Sequence, residues 1–266
     1  MSTLYTTNEL LIAGILLLSL LAATETGLYF GDRAKSRIDE KTKSQISLIQ
    51  GSVLGVLGLL LGFTISMAVS RFETRKQLVL EEANAIGTSY LRTGLLPEPD
   101  RSYIAGRLRD YLDLRLQYSR AGNDVSTLKN VNAVRAAREQ VARLQNDFWT
   151  RAVSRAQKDA NPYITGLLLQ SLNQVIDLDA ARWMAFNNHV PETVVYVNAF
   201  VALLATTLVG YSIGLVGRRN LFSVALLSIA ITVTLVVIID LDRARQGLIV
   251  VTQQPLIDLQ QQLSSH

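Results

Sequence analysis

The sequence predicts an all-α protein with four transmembrane helices in a 2 + 2 arrangement and a helical-bundle insert between the second and third spans. Four apolar stretches each have roughly the 20 residues needed to cross ~30 Å of hydrocarbon at 1.5 Å per residue. About 120 residues of polar and strongly charged sequence separate the second stretch from the third. No segment alternates apolar and polar residues over enough positions to predict a strand.

The apolar stretches are Leu10–Phe30, Ile46–Val69, Val194–Val216 and Leu221–Ile239. We therefore expect a first transmembrane hairpin (residues 8–70), a water-exposed insert (71–190), a second hairpin (191–240) and a C-terminal tail (241–266). The first stretch has no basic residue before it and no clear small-residue cleavage site after it. It is predicted to be a retained span rather than a signal peptide.

The second span is expected to continue into the first helix of the insert without a break. Arg71 follows it directly, with neither glycine nor proline in between. A continuous helix from Ile46 to Tyr90 would be about 68 Å long. Such a helix would join the membrane part to the insert mechanically.

The insert is predicted to be a bundle of amphipathic helices, because apolar residues recur at three- and four-residue steps. The three recurring sets are Val79, Ala83, Ile86 and Tyr90; Ile104, Leu108, Leu112 and Leu116; and Val134, Ala137, Val141, Leu144 and Phe148. A fourth helix is expected from Pro162 to about Phe186, since proline suits a first helical turn and Asn161 can cap it. Pro97 and Pro99 predict the first turn of the insert.

The distribution of charge argues against a nucleic-acid partner. The insert carries 17 Lys and Arg against 13 Asp and Glu, and its excess of +4 equals that of the whole chain. Basic and acidic residues alternate along the insert instead of forming a patch. The pattern is typical of solvated helical faces.

Composition also argues against an enzyme. The chain has no cysteine and only two histidines, His189 and His266, so disulfides, thiolate nucleophiles and histidine-based metal cages are not expected. The paired carboxylates are predicted to be salt-bridged surface groups: Glu81 with Glu82, Asp110 with Asp113, and Asp177 with Asp179. Phosphate loops, nucleophile elbows and metal-spaced clusters are lacking. We expect no catalytic residue, no cofactor and no metal.

A glycine-rich face on the second span is the sharpest pattern within the membrane. Gly51, Gly55, Gly58 and Gly62 lie on nearly one face, which Ser66 extends. Positions without side chains let backbones approach closely and gain van der Waals contact that lipid does not offer. Two interpretations stay open: packing against another helix of the same subunit, or a face that lines a pore or a subunit interface.

Three polar residues lie within the apolar spans. Glu25 is an intramembrane acid, and an ionisable group there usually faces protein or water. The alternative for Glu25 is that it reaches the membrane surface or pairs with Arg33. Gln50 and Asn198 are expected to form hydrogen bonds between helices.

Basic residues in the short loops favour one orientation in the membrane. The loop of residues 31–43 carries five basic and three acidic residues, and the loop of residues 217–220 carries two basic residues. The positive-inside tendency therefore favours hairpin loops in the cytoplasm, with the insert and both termini outside it. Basic residues at the other ends of the spans, among them Arg71 and Arg182, argue against this orientation.

Two parts of the sequence resemble the bestrophin-like family of bacterial and plant membrane proteins. The first is Gly58–Ser66, continued by Glu81–Arg92, and the second is Asp240–Ile249, followed by Gln254–Leu256. The family shares the 2 + 2 layout and the helical insert, and the resemblance covers nearly the whole chain. Ala244 stands where the family often has a proline, so the resemblance does not define the turn after the fourth span.

The resemblance implies kinship with bestrophins, which are pentameric anion channels whose second span lines the pore. It implies a homo-oligomer in a lipid bilayer, here the bacterial inner (plasma) membrane, that conducts small anions. Gly55, Gly62 and Ser66 would line or approach the axis. Phe63 would narrow it, and Arg71 would attract anions at its mouth. Bestrophins keep their insert in the cytosol, contrary to the orientation that the loop charges favour.

The alternative function is a membrane-anchored sensor or scaffold whose helical insert binds a ligand or a partner protein. Two membrane hairpins that hold a helical insert are compatible with such a role. With the insert outside the cytoplasm, only two short loops would face the cytoplasm. Signalling would therefore need another protein.

Overall fold

The computed structural model is built of α-helices and describes residues 8–121, 128–159, 162–217, 221–243 and 248–264. The helices are α1 (Glu9–Ala34), α2 (Glu40–Thr93), α3 (Asp100–Ala121), α4 (Leu128–Ala156), α5 (Pro162–Asn187), α6 (Glu192–Val216), α7 (Leu221–Asp242) and α8 (Gln254–Ser264). A short 3-10 helix, Lys35–Arg37, follows α1. No strand occurs in these ranges, and the predicted all-α class is confirmed.

Four helical stretches of the described residues are long and apolar enough to cross a membrane. They lie within Glu9–Arg37, Glu40–Thr93, Pro162–Val216 and Phe222–Asp242. Between 17% and 39% of each apolar window is buried within the chain. Because apolar surface of this extent is unfavourable in water, these faces need hydrocarbon or another protein around them. The chain is an integral membrane protein with four spans, as predicted.

The chain divides into two compact units. The membrane unit comprises Met1–Ser70, His189–Arg243 and Gly247–Ile249, and the insert unit comprises Arg71–Asn188, Ala244–Gln246 and Val250–His266. Helix α2 contributes residues to both units. The four-segment organisation expected from the sequence is finer than this division and stays a prediction.

Helix α2 is a single α-helix of 54 residues, which corresponds to about 80 Å at 1.5 Å per residue. Asp39 caps its start, where its carboxylate accepts a hydrogen bond from the Thr42 backbone N–H at 3.1 Å. Hydrogen bonds from Thr42 hold the pKa of the Asp39 carboxyl below its ordinary value. The predicted continuation of the second span into the insert is confirmed.

Helices α1 and α6 pack backbone against backbone in the membrane unit. Gly27 and Gly31 on α1 face Gly210 and Gly214 on α6. A Cβ atom added at any of these four glycines would collide with a backbone carbonyl oxygen of the facing helix. Only hydrogen fits at these positions, so two Gly-x-x-x-Gly runs determine how closely the helices approach. Sequence analysis singled out the glycines of the second span and missed this contact.

All four spans contribute to one apolar core in the membrane unit. Its buried members are Leu20 from α1, Leu57 from α2, Ala202 and Ala205 from α6, and Ile231 and Leu235 from α7. The two alanines of α6 face larger residues from the other three spans. The helices can therefore interdigitate at the density of a protein interior.

Hydrogen bonds to two aspartates hold the chain at the end of α7. The Asp240 carboxylate accepts from the backbone N–H groups of Leu248 and Ile249, each at 3.0 Å. The Asp242 carboxylate accepts from the Val190 N–H at 2.8 Å, and His189 Nδ1 lies 3.4 Å from the same carboxylate. His189 thus contacts the end of the fourth span. Ala244, the position of the family's proline, lies outside the described residues.

The insert unit has its own hydrophobic core, to which α2, α3, α4, α5 and α8 contribute. Buried members include Val79, Ile86, Ile104, Leu108, Leu112, Phe148, Leu172 and Val175. The predicted helices of the insert are confirmed, as is the turn at Pro97 and Pro99. Helix α8, which the sequence analysis treated as a polar tail, places Leu256, Leu259 and Leu263 in this core.

Replacing Gly27 by Ala is expected to destabilise the solubilised protein by about 1–3 kcal/mol, the usual cost of overpacking. The reason is the collision with α6. Gly14, on the same helix, has no atom within 4 Å of an added Cβ and is the matched control. Thermal unfolding followed by size-exclusion chromatography gives the comparison. Overlapping melting curves for Gly27→Ala and Gly14→Ala would contradict the close contact.

Candidate functional site

The glycine-rich face of α2 is bare in the chain. Gly51, Gly55, Gly58 and Gly62 are exposed, and a Cβ added at any of them would meet no atom within 4 Å. Ser66 is exposed on the same face. The described residues therefore provide no intrachain packing partner for these glycines. That the face meets a pore axis or another subunit stays a prediction.

The opposite face of α2 is packed. Leu57, Thr64 and Ala68 are each at most 2% exposed. A helix turns about 100° per residue, so Thr64 lies about 180° from Gly55 around the axis. The helix thus has one face buried in the membrane unit and one face without a neighbour in the chain.

Phe63 lies beside the bare face, with 64% of its side chain exposed. Its angle from Gly55 around the helix axis is about 80°. A large apolar ring at this position adjoins a row of residues that have small side chains or none. It can narrow any space that copies of this face enclose.

Two arginines lie where α2 enters the insert unit. Arg71 donates a hydrogen bond to Asn188 Oδ1 at 2.7 Å. Arg75, which is buried, donates to the backbone carbonyls of Ala185 at 3.0 Å and Asn188 at 2.9 Å. Both charges lie at the C-terminal end of α5, where the helix dipole favours cations. Arg71 is therefore held in a defined position, and Arg75, which sequence analysis did not single out, lies one turn further along.

The polar residues of the spans have different surroundings. Asn198 Nδ2 donates to Thr64 Oγ1 at 2.9 Å, so the predicted hydrogen bond between helices is confirmed. Glu25 is exposed and forms no ion pair with a described residue. Arg33, considered as its partner, instead lies over the Tyr29 ring at 4.2 Å. The role of Glu25 stays a prediction.

A buried charged network lies inside the insert unit. The Glu82 carboxylate accepts a hydrogen bond from the Tyr111 hydroxyl at 2.7 Å and pairs with Arg115 at 2.9 Å. Arg182 also binds Glu82, and Arg115 reaches Asp179 at 2.7 Å. Two guanidinium groups thus balance two carboxylates, as buried charges require. The prediction of a surface position is wrong for Glu82, which is fully buried. Asp179 is partly exposed and is salt-bridged to Arg115, as predicted.

This network is structural rather than catalytic. Burial raises the pKa of the Tyr111 hydroxyl well above its usual range, and the charge of Glu82 raises it further. Burial disfavours the charged form of Arg115, but Glu82, Tyr111 and Asp179 together outweigh burial and raise the pKa of Arg115 above its ordinary value. Neither group changes charge near neutral pH. Arg182 also donates to Gln253 Oε1 at 2.9 Å, which ties the network to the residue before α8.

None of the described residues forms a group of three or more His, Asp or Glu that could hold a metal ion. The arrangement with the clearest functional geometry is therefore the bare face of α2. It comprises the four glycines and Ser66, with Phe63 at its edge. Arg71 lies further along α2, about 160° from Gly55 around the helix axis, on the side of Thr64.

Comparison with known proteins gives a family and a shared fold. The model of the bestrophin-like domain matches residues 17–256. A crystal structure of a membrane protein is similar, with a TM-score of 0.67 at 14% identity, covering 94% of this chain and 97% of the other. Two variants of a bacterial bestrophin homologue from Klebsiella pneumoniae have TM-scores of 0.63 and 0.65 at 15% identity. They cover 94% and 96% of this chain and 98% and 97% of theirs. No curated protein sequence matches.

Leucine at Gly62 is expected to weaken self-association of the protein by roughly tenfold or more, since 1.4 kcal/mol of steric cost has that effect. Leucine at Val56, which is exposed outside the glycine row, is the control and should leave association unchanged. The mass distribution of the detergent-solubilised protein across a dilution series measures both. If Gly62→Leu and Val56→Leu associate equally well, no other copy of the chain lies against the glycines.

Proposed function

Because the chain belongs to the bestrophin-like family, we propose that it is an oligomeric, channel-like protein that conducts small anions along its second membrane helix. The observation that carries this proposal is the bare face of α2. In lipid, close approach of backbones is a main source of contact energy between helices. A span that is packed on one face and lined with glycine on the other suits subunits assembled around an axis.

The composition of this face suits passive conduction. Glycine at positions 55 and 62 would leave space at the axis, and the Ser66 hydroxyl would offer a polar contact to a passing ion. Phe63 would narrow the space as an apolar constriction. The spans contain few charged residues of the kind that coupled transport uses, which favours conduction over pumping.

Arg71 would concentrate anions at the mouth of this path. Its guanidinium is held by Asn188 at 2.7 Å, beside the buried charge of Arg75. A fixed positive charge next to a low-dielectric wall focuses the field and raises the local concentration of anions. Arg71 lies about 160° from Gly55 around α2, so we expect it to favour anions through its field and not by lining the path.

A membrane-anchored sensor or scaffold is the second candidate function. The observation that favours it is the separate hydrophobic core of the insert unit, which gives the insert a defined fold of its own. Such a unit could bind a ligand or partner protein at its surface. Tight binding of a partner by a full-length oligomer that passes no current would support this function over conduction.

We also propose that the insert lies outside the cytoplasm, because basic residues outnumber acidic ones in the short hairpin loops of residues 31–43 and 217–220. In this cysteine-free chain, a cysteine at Ser102 in the insert should react with an impermeant maleimide on intact cells. A cysteine at Ser36, exposed in the first hairpin loop, should react only after permeabilisation. The reverse pattern would place the insert in the cytoplasm. Reaction of both sites from one side would contradict the four-span topology.

Charge reversal of Arg71 to Glu is expected to lower the preference for chloride over potassium several-fold, because the focusing charge changes sign. The reversal potential of purified protein in planar bilayers under a chloride gradient measures this. Arg135→Glu, the same kind of reversal at an exposed site on α4, should leave the potential unchanged. A verified oligomer that passes no current at any voltage, pH or calcium concentration would favour the scaffold.

A further inference from the structure

We propose that the hydrogen bond between Thr64 and Asn198 determines the rotation of α2 about its own axis, and so keeps the glycine face turned away from the subunit. Thr64 and Asn198 would be positioning residues for the path described above. The inference rests on the proposed function in one respect, which is that the outward face meets a pore axis or another subunit. The rotation itself is a property of one subunit.

The direction of this hydrogen bond follows from the hydroxyl. Thr64 Oγ1 donates its only proton to the Leu60 carbonyl at 2.7 Å, so it can only accept from Asn198. Asn198 Nδ2 donates to it at 2.9 Å and gives its other proton to the Val194 carbonyl at 2.8 Å. Both side chains are at most 2% exposed. The contact is thus a directional bond between two spans in an apolar layer.

The apolar contacts of α2 in the membrane unit specify its rotation less sharply than a hydrogen bond does. Leu57 packs in the apolar core, and van der Waals contact between apolar side chains has little directionality. Lipid is as apolar as leucine, so it does not oppose a turn of the helix. A turn would separate Asn198 from Thr64 and leave a buried amide donor unpaired, which is unfavourable.

The bond lies on the side of α2 opposite the bare face. At about 100° per residue, Thr64 is about 180° from Gly55 and about 160° from Gly62 and Ser66. A turn of one residue would move the glycines to the flank of the helix. In one direction it would bring Val56 and Phe63 to the place that the glycines occupy. The bond therefore favours the rotation that turns a row of glycines outward over one that turns a row of bulky apolar side chains outward.

Asn198 is a costly residue at this position. Its Oδ1 is buried and has no hydrogen-bond partner among the described atoms. A buried acceptor without a partner lowers stability, and such groups call for an explanation beyond stability. A single buried asparagine in a helix interface commonly specifies geometry at the expense of stability. Selection of one rotation of α2 explains why an amide is placed here.

Cysteine at Ala68, which lies on the packed face and is fully buried, tests the rotation within one subunit. It should be protected from maleimide in the full-length protein in liposomes. Thr64→Val, which removes the acceptor, should raise its reaction rate several-fold, and Asn198→Leu should do the same from the other helix. Thr64→Ser keeps the hydroxyl and should preserve the protection.

Thr206→Val is the matched control, because it removes a buried hydroxyl that bonds only within α6, to the Ala202 and Leu203 carbonyls. It should leave the cysteine at Ala68 protected. If that cysteine stays protected in both Thr64→Val and Asn198→Leu, the inference is overturned. The inference is also overturned if the cysteine at Ala68 reacts as fast in Thr206→Val as in Thr64→Val, because general loosening of the helices would then explain the result.

Cysteine at Ser66 distinguishes this inference from the proposed function. With Thr64 intact, a short bismaleimide should cross-link copies of the chain through Ser66→Cys, and adding Thr64→Val should reduce the cross-linked fraction several-fold. Absence of cross-linking in an otherwise unaltered chain would overturn the assembly around α2. The rotation would still stand if Thr64→Val exposed the cysteine at Ala68.

Discussion

The arrangement of the membrane unit depends on the fact that lipid is as apolar as the helices that it surrounds. Hydrophobic burial therefore contributes little free energy to contact between spans. Close backbone packing or hydrogen bonds must provide that energy instead. The chain uses both. Gly27 and Gly210 bring α1 and α6 into backbone contact, and Asn198 binds Thr64 on α2. The bare face of α2 is the one that forms neither kind of contact.

The buried polar contacts of helix α2 differ between the membrane unit and the insert unit. Within the membrane unit its buried polar contact is neutral, a hydroxyl paired with an amide, because an unpaired charge there would be very unfavourable. Within the insert unit its buried polar group is the ionised Glu82, paired with two arginines in a core that hydrophobic burial already stabilises. The covalent continuity of one helix joins these two kinds of interior without a loop between them.

The spans, the uninterrupted α2 and the amphipathic helices of the insert could be predicted from the sequence, because length and periodicity determine them. The helix or subunit that packs against each helix face could not be predicted in this way. Gly-x-x-x-Gly spacing is the same in α1, α2 and α6, and only the packed structure shows that the spaced glycines of α1 and α6 are packed while those of α2 are bare. Glu82 was expected at the surface because paired carboxylates on an amphipathic helix with many arginines nearby are usually salt-bridged surface groups. Helix α8 was missed although Leu256, Leu259 and Leu263 recur at helical steps.

The docking of α8 has a consequence for how the protein is made. Leu256, Leu259 and Leu263 complete the core of the insert, yet the ribosome produces them only after both membrane hairpins have been synthesised. Until then the insert presents an unfilled apolar groove, which includes the site at Gly87 that receives Leu259. If only one of the two spans of the second hairpin enters the bilayer, α8 is left on the opposite side from the insert, and the insert stays open to proteases. Completion of the water-exposed part thereby reports successful integration of the membrane part.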